Sequence, residues 1–204
     1  MNPEPQSAAD CYRSISSPSK GIYKDKGSKF LSFAFPIETE DEAKAIIARL
    51  KKEYFDARHH CYAWRLGPQG DLWRANDDGE PSSTAGRPIL GQLLSNNLSD
   101  ILIVVVRYFG GILLGTSGLI VAYKSAAADA IANASIVEKT ATARYRIEFD
   151  YSQMNAVMKC LKDFHLKVES PDFGNRCSLT TSVRLAQEAA FLETMQKISI
   201  CQKV

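Results

Sequence analysis

The sequence predicts an α+β protein of two domains, and three observations carry that reading. Ile101 to Val106 is an unbroken branched-aliphatic run, the composition of a strand buried on both faces. It leads into a glycine-rich bend and then into an apolar helical stretch, Thr116 to Ala134. After Ala141 the pattern becomes short strands and helices in the order β-α-β-β-α, with Ile200 to Val204 able to close the series as a last strand. At 204 residues and 45% hydrophobic content, the chain can bury real cores.

Taken in order, residues 1–20 are rich in Pro, Ser, Asn and Ala and read as a flexible arm. The first domain then covers 21–138. Ile22–Tyr23 and Lys29 to Ile37 read as strands around the turn Lys24-Asp-Lys-Gly-Ser28. Thr39-Glu-Asp-Glu42 is a capping box, with Thr39 as N-cap and Glu42 reaching back, and Ala43, Ile46, Ile47, Leu50 and Tyr54 follow at helical spacing. His59 to Leu66 alternates as a strand does. Gly67 to Thr84 reads as a long polar connection, Pro88 to Leu94 as a short helix, and the aliphatic strand follows. Asn133 to Thr140 reads as a hinge. In the second domain, 141–204, Ala143 to Tyr151 is strand-like and Ser152 to Phe164 helical. Lys167 to Phe173 and Arg176 to Leu185 form a hairpin, and Ala186 to Ile198 is helical.

A net charge of +2 supplies no overall field toward nucleic acid or anionic lipid, so any such binding needs a local patch. The five cysteines lack a C-x-x-C pair or a zinc-like array and read as reduced thiols of a cytoplasmic protein, Cys61 as a buried structural one. The start of the chain has no basic segment before an apolar stretch, so no secretory leader is expected. The longest uncharged stretch, Tyr108 to Tyr123, is broken by four glycines and too short to span a bilayer; no membrane partner is expected.

Three constellations could carry chemistry. The bend after the aliphatic strand holds Gly110, Gly111, Gly115 and Gly118, and the amides that start the next helix have no partners of their own. They suit an anion, with Arg107 at the entrance and Thr116 and Ser117 as hydroxyl donors. Gly110-x-x-x-x-Gly115-Thr116-Ser117 imitates a phosphate-binding loop, but Thr116 stands where its lysine would, which argues against a nucleoside triphosphatase of that class. The competing reading is that these glycines only permit close packing. The second constellation, Asn76-Asp-Asp-Gly-Glu80, offers Asp77, Asp78 and Glu80 to Mg²⁺, or else is a turn whose aspartates bond their own backbone and cap the next helix. The third, Asp56-Ala-Arg-His-His60, cannot place both histidines on one metal, because neighbours in a strand face opposite sides. Either histidine alone could move a proton or contact an anion.

Together, Asp56 to Cys61, Asn76 to Pro81, Thr84-Ala-Gly86, Pro88, and Val104 to Leu119 with Ala122-Tyr123 resemble the signature of the IMPACT family in its bacterial YigZ-like branch. The resemblance covers about residues 20 to 135. It implies a ribosomal protein S5 domain 2-like fold for the first domain. The remainder resembles a small ferredoxin-like (βαββαβ) domain similar to one at the end of translation elongation factor G. The resemblance implies regulation of translation and hands over no catalytic residues.

The expectation is therefore a non-enzymatic binding protein that contacts RNA, the ribosome or a translation factor and needs no cofactor. Arg58, Arg87, Arg107 and Lys124 would meet phosphates, and Gly110, Gly111, Gly115, Thr116 and Ser117 would supply donors. His59 or Tyr108 would stack or hydrogen-bond. The alternative is a metal-assisted enzyme acting on a phosphorylated small molecule or nucleic acid, with Mg²⁺ on Asp77, Asp78 and Glu80 and a histidine moving a proton. A third option is a scaffold that meets another protein. An open basic cleft beside Gly110 to Thr116 favours recognition, and a bend sealed into its own domain favours packing.

Overall fold

A computed structural model describes residues 10–174 and 176–204. The first elements are β1 (Cys11–Ile15), β2 (Ser19–Asp25), β3 (Ser28–Pro36), α1 (Glu40–Glu53), β4 (His59–Leu66) and β5 (Leu72–Asn76). They are followed by α2 (Gly86–Ser95), β6 (Ile101–Tyr108), α3 (Gly115–Ala132) and β7 (Ile136–Thr140). The last part of the chain supplies β8 (Thr142–Phe149), α4 (Met154–Asp163), β9 (Glu169–Phe173), β10 (Cys177–Arg184), α5 (Glu188–Met195) and β11 (Ile200–Lys203). The described residues divide into two compact units, Tyr12–Lys139 and residues 10–11 with Thr140–Val204. The architecture is mixed α and β, and no described helix is long and apolar enough to cross a membrane.

In the Tyr12–Lys139 unit a five-stranded sheet runs β2-β3-β6-β4-β5, every pair antiparallel. β6 lies at its centre, and the aliphatic run there serves two cores at once. Ile101, Ile103 and Val105 join Ile89 and Leu93 of α2 and Leu119, Tyr123 and Ala126 of α3. Leu102, Val104 and Val106 face the other way, against Ala43 and Leu50 of α1 and Trp64 of β4. Period-two alternation in a strand covered on both sides makes every residue from Ile101 to Val106 apolar. Half of the expected capping box forms: Thr39 accepts the Glu42 amide at 3.2 Å, while the Glu42 carboxylate accepts the amide of Glu38, one residue before the N-cap, at 2.7 Å.

In the other unit the sheet order is β11-β8-β10-β9, again antiparallel throughout. Alternate residues of β8 (Ala143, Tyr145, Ile147, Phe149) are buried with Val157, Cys160 and Leu161 of α4 and with Phe191 and Met195 of α5. A single 3-10 turn precedes each helix, at Tyr151–Gln153 and Leu185–Gln187.

Three expectations are corrected. The arm expected over residues 1–20 is ordered where it is described: β1 pairs with β7, and β2 begins at Ser19. Polar contacts across the chain hold it, among them Tyr12 Oη to Asp100 at 2.5 Å and Ser14 Oγ to the Asp100 carbonyl at 3.2 Å. Residues 1–9 lie outside the described residues. The polar connection after Leu66 contains the edge strand β5, paired to β4. The hinge at Asn133 to Thr140 is largely strand β7.

Candidate functional site

The sheet register places the site. Phe30 of β3, Arg107 of β6 and His59 of β4 form one row across three strands, so their side chains share the face that carries α2 and α3. Tyr108, one residue on, belongs to the opposite face, where its hydroxyl donates to Asp56 at 2.8 Å. Desolvation, and then that carboxylate, push the Tyr108 phenol up to about 12.

Beyond Tyr108 the glycines divide by role. A Cβ on Gly110 would sit 2.0 Å from the Gly27 carbonyl carbon, so Gly110 is the point where two backbones touch. Gly111 and Gly115 have φ of +87° and +72°, with open space where a Cβ would project, and serve the bend itself. Helix α3 then starts from Leu114, whose side chain makes no capping bond, and its first turn holds no acidic residue. Those first amides are left to whatever enters from outside. They open on a cavity of about 490 Å³. Its walls are Pro81, Phe109, Leu113, Leu114 and Leu119, with Arg58, His59, Glu80, Arg107, Gly115 and Thr116 among them.

The buried side of the cavity is a polar hub. Arg107 donates from Nη1 to Glu80 Oε1, which also accepts the Tyr123 hydroxyl at 2.9 Å. The Arg107 guanidinium lies between the rings of Phe30 and Phe109, 5.4 and 5.7 Å from their centres. Cys61 Sγ is 3.2 Å from Tyr123 Oη and 3.0 Å from the Asp77 carbonyl. Burial pushes both the Cys61 thiol and the Tyr123 phenol above their ordinary values. Cys61 is thereby a structural thiol and no nucleophile at neutral pH.

The three carboxylates offered to a cation diverge. Asp77 accepts the amides of Ser83, Ala85 and Gly86 at 2.8, 3.0 and 2.8 Å and so caps α2. Asp78 accepts the Lys51 ammonium and the His60 amide, both at 2.7 Å. Burial alone would raise the Asp78 carboxyl, but the Lys51 hydrogen bond, the His60 amide and the nearby charge outweigh it and hold it below its usual value. Glu80 is committed to Arg107. Among the described residues no three His, Cys, Asp or Glu side chains gather as a metal site. Asp77, Asp78 and Glu80, read from the sequence as candidate Mg²⁺ ligands, each go to separate partners.

Of the expected anion contacts, Arg58, His59, Arg107, Gly115 and Thr116 line the cavity. Arg107 does so as half of a buried ion pair and not as a free cation, which corrects its expected role. Arg87 stacks on Trp73 at 5.5 Å, away from the lining, and Tyr108 faces the other core. Gly110, Gly111, Ser117 and Lys124 also stand outside the lining. Sequence reasoning missed Phe109, Leu113, Leu114, Leu119 and Tyr123. Their signal was present in the sequence, where Leu119 and Tyr123 read as part of the helix and Phe109, Leu113 and Leu114 as filler of the glycine bend.

Comparison with known proteins matches the chain to a family. Residues 26–131 fit the family model of the Impact N-terminal domain. The chain is 35% identical over 168 residues to "IMPACT family member YigZ" of Escherichia coli (strain K12), covering 81% of this chain and 82% of that one. It is 33% identical over 172 residues to "IMPACT family member YvyE" of Bacillus subtilis (strain 168), covering 84% and 79%. A crystal structure of a hypothetical protein superposes with a TM-score of 0.73 at 30% identity, over 96% of this chain and 98% of that one. With a family model over half its length and relatives of this identity along most of the rest, the chain belongs to the IMPACT family.

Proposed function

We propose that this chain is a non-enzymatic cytoplasmic regulator of translation that binds RNA of the translation apparatus through the cavity at the start of α3. The observation that carries the reading is the first turn of α3. Its amides have no side-chain cap and no acidic neighbour in that turn, and they open beside Arg58 and Thr116. Such a place favours a phosphate over any neutral group. The architecture supports the same reading. A 4-1-3-2 antiparallel sheet with two helices on one side is the ferredoxin-like arrangement. For the five-stranded unit the family resemblance implies the S5 domain 2-like fold. Both folds occur in proteins that work on the ribosome, although fold alone assigns no function.

Co-sedimentation with ribosomes across a salt series tests the proposal. Association is expected to weaken by about tenfold or more between roughly 50 and 200 mM salt, and Arg58→Ala is expected to weaken it further and flatten the slope. Absence of any salt-dependent association with ribosomes or structured RNA at low ionic strength would remove this function.

A further inference from the structure

The five-stranded sheet has two edges, and only one of them is closed. At β2 the outward-facing groups are met by α3: the Ile22 amide donates to Asp129 Oδ2 at 2.8 Å, and the Asn133 side chain donates to the Lys20 carbonyl at 3.0 Å. The helix stands so near that a Cβ on Gly21 would lie 2.4 Å from the Ala130 nitrogen. At the other edge β5 pairs with β4 from Leu72 to Asn76 without a bulge, and Gly86 of α2 touches the backbone of its last residue. Among the described residues, the backbone from Leu72 to Ala75 has no hydrogen-bond partner beyond β4. Sheet edges are ordinarily blunted by proline, by bulges, by lysine or by a cover. The outer strand β9 of the other sheet has Pro171, and its pairing with β10 shifts register between Ser178 and Thr180. β5 instead presents Leu72, 53% exposed, and Trp73, 46% exposed. A row of main-chain donors and acceptors beside exposed apolar side chains is a template for one more strand.

We propose that β5 takes an extended acidic segment of another protein as a sixth strand, on a surface separate from the cavity at the start of α3. The main-chain row supplies the affinity, and the side chains choose the partner. Arg74 stands opposite Trp64 and Leu72 opposite Leu66, which places both on the face that carries α1. Trp73, opposite Arg65, belongs to the other face, where the Arg87 guanidinium of α2 lies 5.5 Å from its ring centre. Neither Arg74 nor Arg87 has an ion pair among the described residues, and Asp71, the nearest acid in sequence, precedes the strand and bonds to neither. Each face of the edge therefore offers one cation to an incoming carboxylate. Opposite charges across a strand pair stabilise it, and like charges directly opposite destabilise it. The same rule disfavours a second copy of this chain, because full antiparallel pairing of β5 with its own copy sets Arg74 against Arg74.

Titration of the full chain with a capped heptapeptide of alternating glutamate and valine around a central tyrosine tests it, with the lysine-for-glutamate counterpart and hexaglutamate as controls. Trp64 is only 3% exposed, so a blue shift of tryptophan emission reports Trp73. Saturable binding below about 1 mM is expected, and in roughly 50 mM salt the glutamate peptide should bind about fivefold or more tighter than its lysine counterpart. Arg74→Glu, at an exposed position, is expected to reverse that preference with the urea midpoint kept. At about ten times its dissociation constant the peptide should slow hydrogen exchange of the outward amides between Leu72 and Ala75 by about tenfold. Contact through side chains alone would leave those amides unprotected. Unprotected amides, hexaglutamate or the lysine peptide matching the glutamate peptide, or no binding up to about 1 mM would each overturn the proposal. Self-association of the chain that the peptide competes away would overturn it in favour of a second copy at this edge.

Discussion

His60 and His59 are neighbours with opposite fates, because successive strand residues point to opposite faces. His59 reaches the cavity. His60 is buried, and its Nε2 has no hydrogen-bond partner. Burial is the chief reason its imidazole is held below the ordinary value of 6.5, with Lys51 adding to the effect and Asp78 opposing it. On acidification the unfolded chain therefore takes up this proton before the folded one does. Stability from this group is complete above pH 6.5 and declines as the pH falls toward the lower folded value. Asp78 acts in a separate, more acidic window: its folded carboxyl is lowered, so its contribution holds above its ordinary 3.8 and is lost as pH falls through the folded value. In urea unfolding followed between pH 7 and pH 5, His60→Gln should show a shallower loss of stability on acidification than the unchanged chain. Parallel pH profiles for the two proteins would mean that His60 is not the group responsible.

At the level of elements, α2 depends on a residue outside itself. Its own N-cap position, Ala85, has no side chain that can cap, and the carboxylate of Asp77 takes that task from within the preceding turn. Asp77→Ala should cost about 1–2 kcal/mol, read as a lower urea midpoint with unchanged slope, and Asp77→Asn should recover part of it. An unaltered midpoint in the alanine variant would show that the turn stands without the cap. Asn76 to Glu80 illustrates what a sequence can convey. Three acidic residues in four suit both a cation site and a backbone cap, and only the divergence of Asp77, Asp78 and Glu80 to different partners separates the two. β6, the bend and α3 were legible because their burial leaves a continuous apolar run, a set of glycines and a long apolar stretch. β5 was not, since Leu72, Trp73 and Arg74 are exposed on an edge strand and show no alternation. β1 was hidden for a related reason: contacts such as Tyr12 with Asp100 join residues 88 apart and follow no period. The pairing of Arg107 with Glu80 was equally out of reach, and it turned an expected phosphate contact into part of the floor.

Across the whole molecule, everything the proposed site uses lies in one unit. Both faces of the five-stranded sheet have their own core there, and every residue lining the cavity falls between Arg58 and Leu119. Residues 11–140 also contain β1 and β7 entire, so a fragment with these ends keeps the two-stranded sheet paired. With roughly 130 residues it is of ordinary domain size and can bury a sufficient fraction of its surface without the second unit. The fragment is expected to unfold in a single cooperative step by calorimetry, and to associate with ribosomes at low salt within about threefold of the full chain. A gradual, non-cooperative melt would show that the cores need the remaining residues. A cooperative melt with ribosome association lost would place a required contact in residues 1–10 or 141–204, and the site drawn around the start of α3 would then be incomplete.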